Sequence, residues 1–285
     1  MIHVSIKRVL AAATIKISKV DNYLAEPQVD AEILLAAVLQ KNRSYLHTWP
    51  EASLSVLQNQ QFNSYIARRE RGEPVAYILG KKAFWDLELT ITKDVLIPRP
   101  ETEILVEYIL QNFAISKKVK LLDLGTGSGA IALAIAKHRP SWQIVALDVC
   151  AKALAVAKNN AKQLKIINIE FILSSWMDNL KERERFDIIV GNPPYVAENN
   201  SYLMKGDVRF EPKQALIAVC NGLDALKKII ISAKKNLNNN GCIILEHGFD
   251  QNTAVTSLLL KNNFNDIVAI KDFSGHCRAI VGISR

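Results

Sequence analysis

Apolar residues recur at helical spacing over the first quarter of the chain. Asp30-Ala31-Glu32-Ile33-Leu34-Leu35-Ala36-Ala37-Val38-Leu39 carries them behind an acidic start, as a helix N-terminus prefers. Ser53 to Arg71 predicts a second amphipathic helix, with Leu54, Leu57, Phe62, Tyr65 and Ile66 on its apolar side and Ser53 as its N-cap. No strand pattern interrupts residues 1–72, which predicts a small helical domain. The pattern then changes. Phe84 to Thr92 alternates apolar and polar positions, the period of a β-strand or hairpin arm, so 73–97 predicts a β-hairpin connector. Pro98 and Pro100 break the chain, and Glu101-Thr102-Glu103 opens a helix with acids in its first turn.

From Val119 the pattern becomes strand, glycine loop, helix, strand, helix, strand. The expected strands are Lys120–Leu124, Gln143–Asp148, Glu170–Leu173, Phe186–Val190 and Cys242–Glu246. The expected helices are Ile131–Lys137, Ala151–Leu164 and Asp224–Leu237. Asn238-Asn239-Asn240 before Gly241 predicts a turn. Such alternation predicts an α/β fold, a doubly wound and mostly parallel sheet over residues 98–285.

Two loops in this frame carry chemistry. Asp123-Leu124-Gly125-Thr126-Gly127-Ser128-Gly129-Ala130 joins the first strand to its helix, where glycines allow close approach of a ligand and the helix offers free N–H groups. Gly125-x-Gly127-x-x-Ala130 fits the dinucleotide fingerprint as well as an S-adenosylmethionine (SAM) loop. Three features favour SAM. Asp123 just before the loop suits the amino-acid end of SAM and would repel a pyrophosphate; the glycines also read Gly-x-Gly-x-Gly; and a second loop, described next, stands where a methyl acceptor would lie. Asp148 ends the following strand, where a carboxylate accepts from both hydroxyls of an adenosine ribose. Trp176, after the third strand, is placed to pack on the adenine.

The second loop is Asn192-Pro193-Pro194-Tyr195, just past the carboxyl end of a buried strand, where ligands bind in open α/β sheets. Two prolines remove two N–H donors and stiffen the loop. What remains is rich in acceptors, the Asn192 side-chain oxygen and the carbonyls of Asn192 and Pro193, beside the flat face of Tyr195. That set suits a planar group bearing an NH2, either a carboxamide or the exocyclic amine of a base.

Composition narrows the setting. The 285 residues are 49% hydrophobic, enough for a sizeable core, and the net charge of +8 favours an anionic partner. Cys150, Cys220, Cys242 and Cys277 form no C-x-x-C pair and have no ligand spacing with His3, His47, His138, His247 or His276, so no metal site is expected and the thiols suit a reducing compartment. Lys7-Arg8 precedes only a short apolar run that Lys16 breaks, and no stretch reaches the ~18 apolar residues of a membrane span. The expected location is cytoplasmic.

Together the motifs carry a resemblance. Arg71 to Gly80, Leu96-Ile97-Pro98-Arg99-Pro100-Glu101-Thr102-Glu103, the glycine loop, Gly191 to Val196, Arg209-Phe210-Glu211-Pro212 with Ala215-Leu216, Leu245-Glu246-His247-Gly248 and Ser274-Gly275-His276 resemble the release-factor glutamine N5-methyltransferases, the PrmC/HemK family, essentially end to end. The resemblance implies a Rossmann-like SAM-dependent methyltransferase domain. Its reaction is N5-methylation of the glutamine in the Gly-Gly-Gln loop of peptide chain release factors, with the helical domain helping to bind the factor. It places Asp123, Gly125, Thr126, Gly127, Ser128, Gly129, Asp148, Trp176 and Asn192 at or beside SAM. Asn192, Pro193, Pro194 and Tyr195 would hold the glutamine, with Asn192, Pro193 and Tyr195 catalytic. Arg99, Glu103 and His247 receive no role. The rival expectations are an N6-adenine methyltransferase of DNA or RNA, a ribosome-associated RNA-binding protein without catalysis, and a nicotinamide dehydrogenase. No separate basic or aromatic-rich recognition domain follows the core, so no stable nucleic-acid partner is expected.

Overall fold

In the computed structural model, residues 4–19 and 26–285 are described; His3 lies outside them. The chain forms two compact units. One runs to Lys81 and also takes in Ser201–Phe210; the other comprises Lys82–Asn200 and Glu211–Arg285. The division after Lys81 falls within the segment 73–97.

The first unit contains α1 (Ile6–Ile17), α2 (Pro27–Leu39), α3 (Arg43–Thr48), α4 (Val56–Glu70) and α5 (Val75–Leu79). Pro27 sits at the start of α2, where its missing N–H has no intrahelical partner to lose. Ile6, Ile17, Leu34, Leu35, Phe62, Ile66 and Ile78 form the core. The N-cap of α4 is Ser55, not Ser53. Ser55 accepts from the Gln58 N–H and the Gln58 side chain accepts from the Ser55 N–H, a capping box that Ser53 has no partner to build. The buried face of α4 is Phe62, Ile66 and Arg69. Leu57, five residues before Phe62 and so about 140° around the helix, is exposed. Arg69 is 1% exposed and donates to Asp30 and Asp207, both at 2.8 Å, which pins the 201–210 excursion to α2 and α4.

The hairpin β1 (Lys81–Phe84) and β2 (Leu87–Thr90) follows, and its turn needs Trp85 at φ +54°. A 3-10 turn at Pro100–Thr102 leads into α6 (Glu103–Asn112). There follow β3 (Lys120–Leu124), α7 (Ala130–His138), β4 (Gln143–Asp148), α8 (Ala151–Gln163), β5 (Ile169–Leu173), β6 (Phe186–Gly191), the short β7 (Val196–Ala197) and β8 (Ile217–Ala218), α9 (Asp224–Asn236), β9 (Leu237–Glu246), α10 (Asn252–Lys261), β10 (Phe264–Lys271) and β11 (Cys277–Ser284). The seven-stranded sheet has the order β10-β11-β9-β6-β3-β4-β5. β11 runs antiparallel to β9 and β10, and the remaining pairs are parallel.

β3, β6 and the Cys242–Glu246 part of β9 are buried on both faces, which is why they read as largely apolar runs. α9 and α10 cover one face through Leu226, Ile229, Val255 and Leu259 against Leu122, Val145, Ile189 and Ile243. The expected turn at Asn238–Asn240 lies instead inside β9. Between Phe186↔Leu237 and Ile188↔Cys242 the register slips, and Asn240 at φ +60° takes up the extra chain as a bulge. Strand order reverses at β3, with β4 and β5 to one side and β6 and β9 to the other. The carboxyl ends of β3 and β6 therefore form the crevice where such sheets bind ligands.

Candidate active site

Leu124 and Gly191 are register partners at the ends of β3 and β6, so the two chemically marked loops leave the sheet side by side. Gly191 makes this proximity possible: a Cβ there would sit 2.9 Å from the Leu124 carbonyl oxygen.

The glycine loop is held from below. The Thr126 N–H donates to the Leu147 carbonyl and the Thr126 hydroxyl donates to Asp123 Oδ2 at 2.7 Å. At Gly129, φ is +85° and a Cβ would come within 2.8 Å of Leu133 Cδ1, so only glycine lets the loop enter α7. Asp148 accepts from the Gly127 N–H and the Cys150 N–H, both at 2.8 Å, bracing the loop at the mouth of the cavity. Asn160 on α8, a residue the sequence reading missed, donates to the Ser128 and Thr90 carbonyls and accepts from the Thr90 N–H, which ties the loop to β2.

A cavity of about 170 Å³ opens above these loops, with space for roughly ten or more water-sized spheres. Gly125, Gly127, Asp148, Trp176, Asn192 and Pro194 line it, joined by Leu96, Cys150, Gln214 and Ala215, which sequence reasoning had not placed there. Asp123, Thr126, Ser128, Gly129, Pro193 and Tyr195 lie outside that lining. Asp123 is wholly buried under the loop, its Oδ1 unpartnered, and burial pushes its carboxyl up to about 7 against the pull of the Thr126 hydroxyl. Burial also raises the Asp148 carboxyl, opposed by backbone N–H groups. Trp176, with its backbone in the left-handed region, packs on the core cluster and lines the cavity as well.

The acceptor loop is fixed by residues the sequence reading left without roles. The Asn192 Nδ2–H donates to Thr102 Oγ1 at 3.0 Å. The Thr102 hydroxyl donates to Glu246 Oε2 at 2.7 Å, and the Tyr195 hydroxyl donates to Glu246 Oε1 at 2.9 Å. Burial, then the Glu246 carboxylate, push the Tyr195 phenol well above its ordinary range, so it stays protonated and is no base. A clue to Glu246 was present: it is a carboxylate closing the otherwise apolar run Cys242 to Leu245.

Arg99 pairs with Glu211 at 2.6 Å, and Glu103 accepts from the Trp85 N–H, holding the hairpin turn. His247 is wholly buried. Its Nδ1 sits 2.7 Å from the Gly248 carbonyl, and burial lowers its basicity, so it is a neutral strand-end residue. Cys150, Cys220, Cys242 and Cys277 are free thiols. Among the described residues no group of three or more His, Cys, Asp or Glu side chains is arranged to hold a metal, and no helix is long and apolar enough to cross a membrane.

Residues 9–80 match the family model of the PrmC N-terminal domain, and residues 115–272 match that of a methyltransferase domain. A release factor glutamine methyltransferase of Coxiella burnetii is 46% identical over 255 residues, spanning 90% of this chain and 91% of that protein. The chain belongs to the release factor glutamine methyltransferase family. A second family member, from Vibrio cholerae, is 43% identical over 279 residues, 98% of this chain and 96% of its own.

Solved structures agree on the fold. A methyltransferase from Pyrococcus furiosus superposes with a TM-score of 0.52 at 18% identity, over 78% of this chain and 98% of its own. A T. thermophilus 16S rRNA N2 G1207 methyltransferase in complex with AdoMet and guanosine gives 0.53 at 18% identity, over 72% and 50%. Membership of this family sets aside the dehydrogenase and the non-catalytic readings, and SAM is the methyl donor.

Proposed function

We propose that this enzyme transfers the methyl group of SAM to the side-chain nitrogen, N5, of the glutamine in the Gly-Gly-Gln loop of a peptide chain release factor, in the cytoplasm. The observation that carries the reading is the direction of the Asn192 amide. Its NH2 is turned to Thr102, which leaves its oxygen as the end that can accept, and Asn192 lines the cavity.

The donor set fits SAM. Asp148 keeps lone pairs beyond its two backbone bonds for ribose hydroxyls, Trp176 offers a flat face, Gly125 to Gly129 allow close approach, and Asp123 lies under the loop with an unpartnered Oδ1. When bound, SAM supplies an electrophilic methyl on a sulfonium centre.

An amide nitrogen is a weak nucleophile because its lone pair is delocalised into the carbonyl. In the proposed complex the Asn192 side-chain oxygen and the Pro193 carbonyl accept the two hydrogens of the substrate NH2. That fixes the nitrogen's aim and favours the positive charge that develops on it. Tyr195 flanks the amide plane. The proton leaves to water or to the acceptor oxygens, with no covalent enzyme intermediate. The helical unit is proposed to help bind the factor.

The experiment is methyl transfer from labelled SAM to a purified release factor, beside a copy whose Gly-Gly-Gln glutamine is replaced, with DNA and RNA as parallel acceptors. Label on the intact factor alone is the expected result. Equal label on both factors, or label on nucleic acid, would overturn the substrate reading.

A further inference from the structure

We infer that Glu246 is a positioning residue for methyl transfer: through Thr102 it sets which way the Asn192 side-chain amide points, and through Tyr195 it holds the wall of the same site. The inference rests on the proposed role of Asn192 as acceptor of the substrate's amide hydrogens.

Glu246 closes β9 and is 1% exposed, with its two oxygens on two hydroxyls, Thr102 at 2.7 Å and Tyr195 at 2.9 Å. An ionised carboxylate accepts and cannot donate, so both hydroxyls must give it their single protons. Thr102 then has only lone pairs left to offer. The atom facing it at 3.0 Å must be a donor, and Asn192 has one end that qualifies, the NH2. The Asn192 oxygen is thereby turned to the other side. A reversed amide would lose the Thr102 bond and set an NH2 against the NH2 of the substrate.

No other residue in the chain of contacts sets this direction. Asn192 cannot choose by itself, because its two ends have nearly the same shape. Thr102 cannot choose either, because a hydroxyl both donates and accepts. The carboxylate is the one member with a fixed polarity. Burial holds Glu246 near 7, so the relay is tested at pH 8, where it is ionised.

Glu246→Gln preserves shape but presents one NH2, so it cannot accept from both Thr102 and Tyr195. Expected at pH 8 is a kcat on release factor lowered about 10- to 100-fold, the scale of a misdirected preorganised group, with KM for SAM within about twofold of wild type. Thr102→Val should fall alike, and Thr102→Ser, which keeps the hydroxyl, should recover to within a few-fold. A second readout needs no substrate. In ¹⁵N-labelled protein the Asn192 side-chain NH2 signal, assigned by its loss in Asn192→Asp, should move in Glu246→Gln and Thr102→Val but not in Thr102→Ser.

An unmoved Asn192 signal in Thr102→Val overturns the relay, as does a moved signal with kcat kept within threefold. If Glu246→Gln does not fold, the two Thr102 variants decide by the same criteria. Failure of the wild-type enzyme to label the factor would count against the substrate reading alone, since the NH2 signal still tests the relay.

Discussion

Gly191→Ala adds one methyl group at the point where β3 and β6 part. The new Cβ would lie 2.9 Å from the Leu124 carbonyl oxygen and 3.2 Å from the Leu124 Cβ. Ordinary carbon–oxygen contact begins near 3.4 Å, so the strand ends must separate by about 0.5 Å, and the obstacle is backbone that has no rotamer to change. Overpacking of this kind costs about 1–3 kcal/mol of stability. Its catalytic effect should be larger than that figure suggests. The next residue is Asn192, and displacement of a positioned group on the scale of 1 Å costs up to ~100-fold in rate. We expect turnover down about 10- to 100-fold, with SAM affinity changed less, because Gly125, Gly127 and Asp148 hang from β3 and β4 rather than β6. Urea unfolding, equilibrium binding of labelled SAM and methyl transfer measure the three quantities. An unfolding midpoint equal to wild type together with turnover within twofold would refute the claim that the two loops depend on this contact.

Asn192→Ala should lower turnover by ~100-fold or more while the protein keeps its fold, in labelled methyl transfer to a release factor; near-normal turnover would remove the side-chain oxygen from the mechanism. Folding raises the Asp123 carboxyl from the ordinary 3.8 to about 7, so its favourable contribution is complete below about pH 4 and is lost as pH rises toward 7, a change of ~4 kcal/mol. Urea unfolding of ligand-free protein from pH 4 to 8 should therefore show wild-type stability falling relative to Asp123→Asn, and parallel curves would contradict the burial argument. Arg69→Ala removes the guanidinium shared by Asp30 and Asp207 and should destabilise the helical unit by about 1–3 kcal/mol, with faster proteolysis at Lys205; unchanged cleavage would show that Arg69 does not pin that segment.

The central parallel strands were legible because they are buried on both faces and carry no alternation to confuse with a helix, as in Leu121-Leu122-Asp123-Leu124. The glycine loop and Asn192-Pro193-Pro194-Tyr195 were legible because each residue type there answers a local demand, a positive φ or a missing N–H. What escaped depended on partners distant in the chain. Ser55 became the cap of α4 through Gln58, while Ser53 looked equally suitable by type alone. Asn238–Asn240 has the composition of a turn, yet pairing with β6 draws it into β9 as a bulge. Thr102 and Glu246 stood inside recognised motifs without a role, because their meaning lies in bonds across 90 and 144 residues of sequence that no local pattern records. The bond from the Thr126 hydroxyl to Asp123 beneath the loop was likewise not marked by any local pattern.

The assignment of Ser201–Phe210 to the helical unit bears on how this protein can be divided. The helical unit is discontinuous in sequence. The chain enters the helical unit, leaves it, and returns for ten residues only six positions after Tyr195, closing around Arg69 before leaving again. A truncation that removes the leading helices would leave a methyltransferase core carrying an excursion stripped of its ionic anchor, a short tether from the residues proposed to grip the substrate. Heredity faces the same limit. A helical unit exchanged between relatives must bring its matching excursion from the middle of the other unit, so changes at Arg69 and Asp207 are expected to travel together although 138 positions separate them.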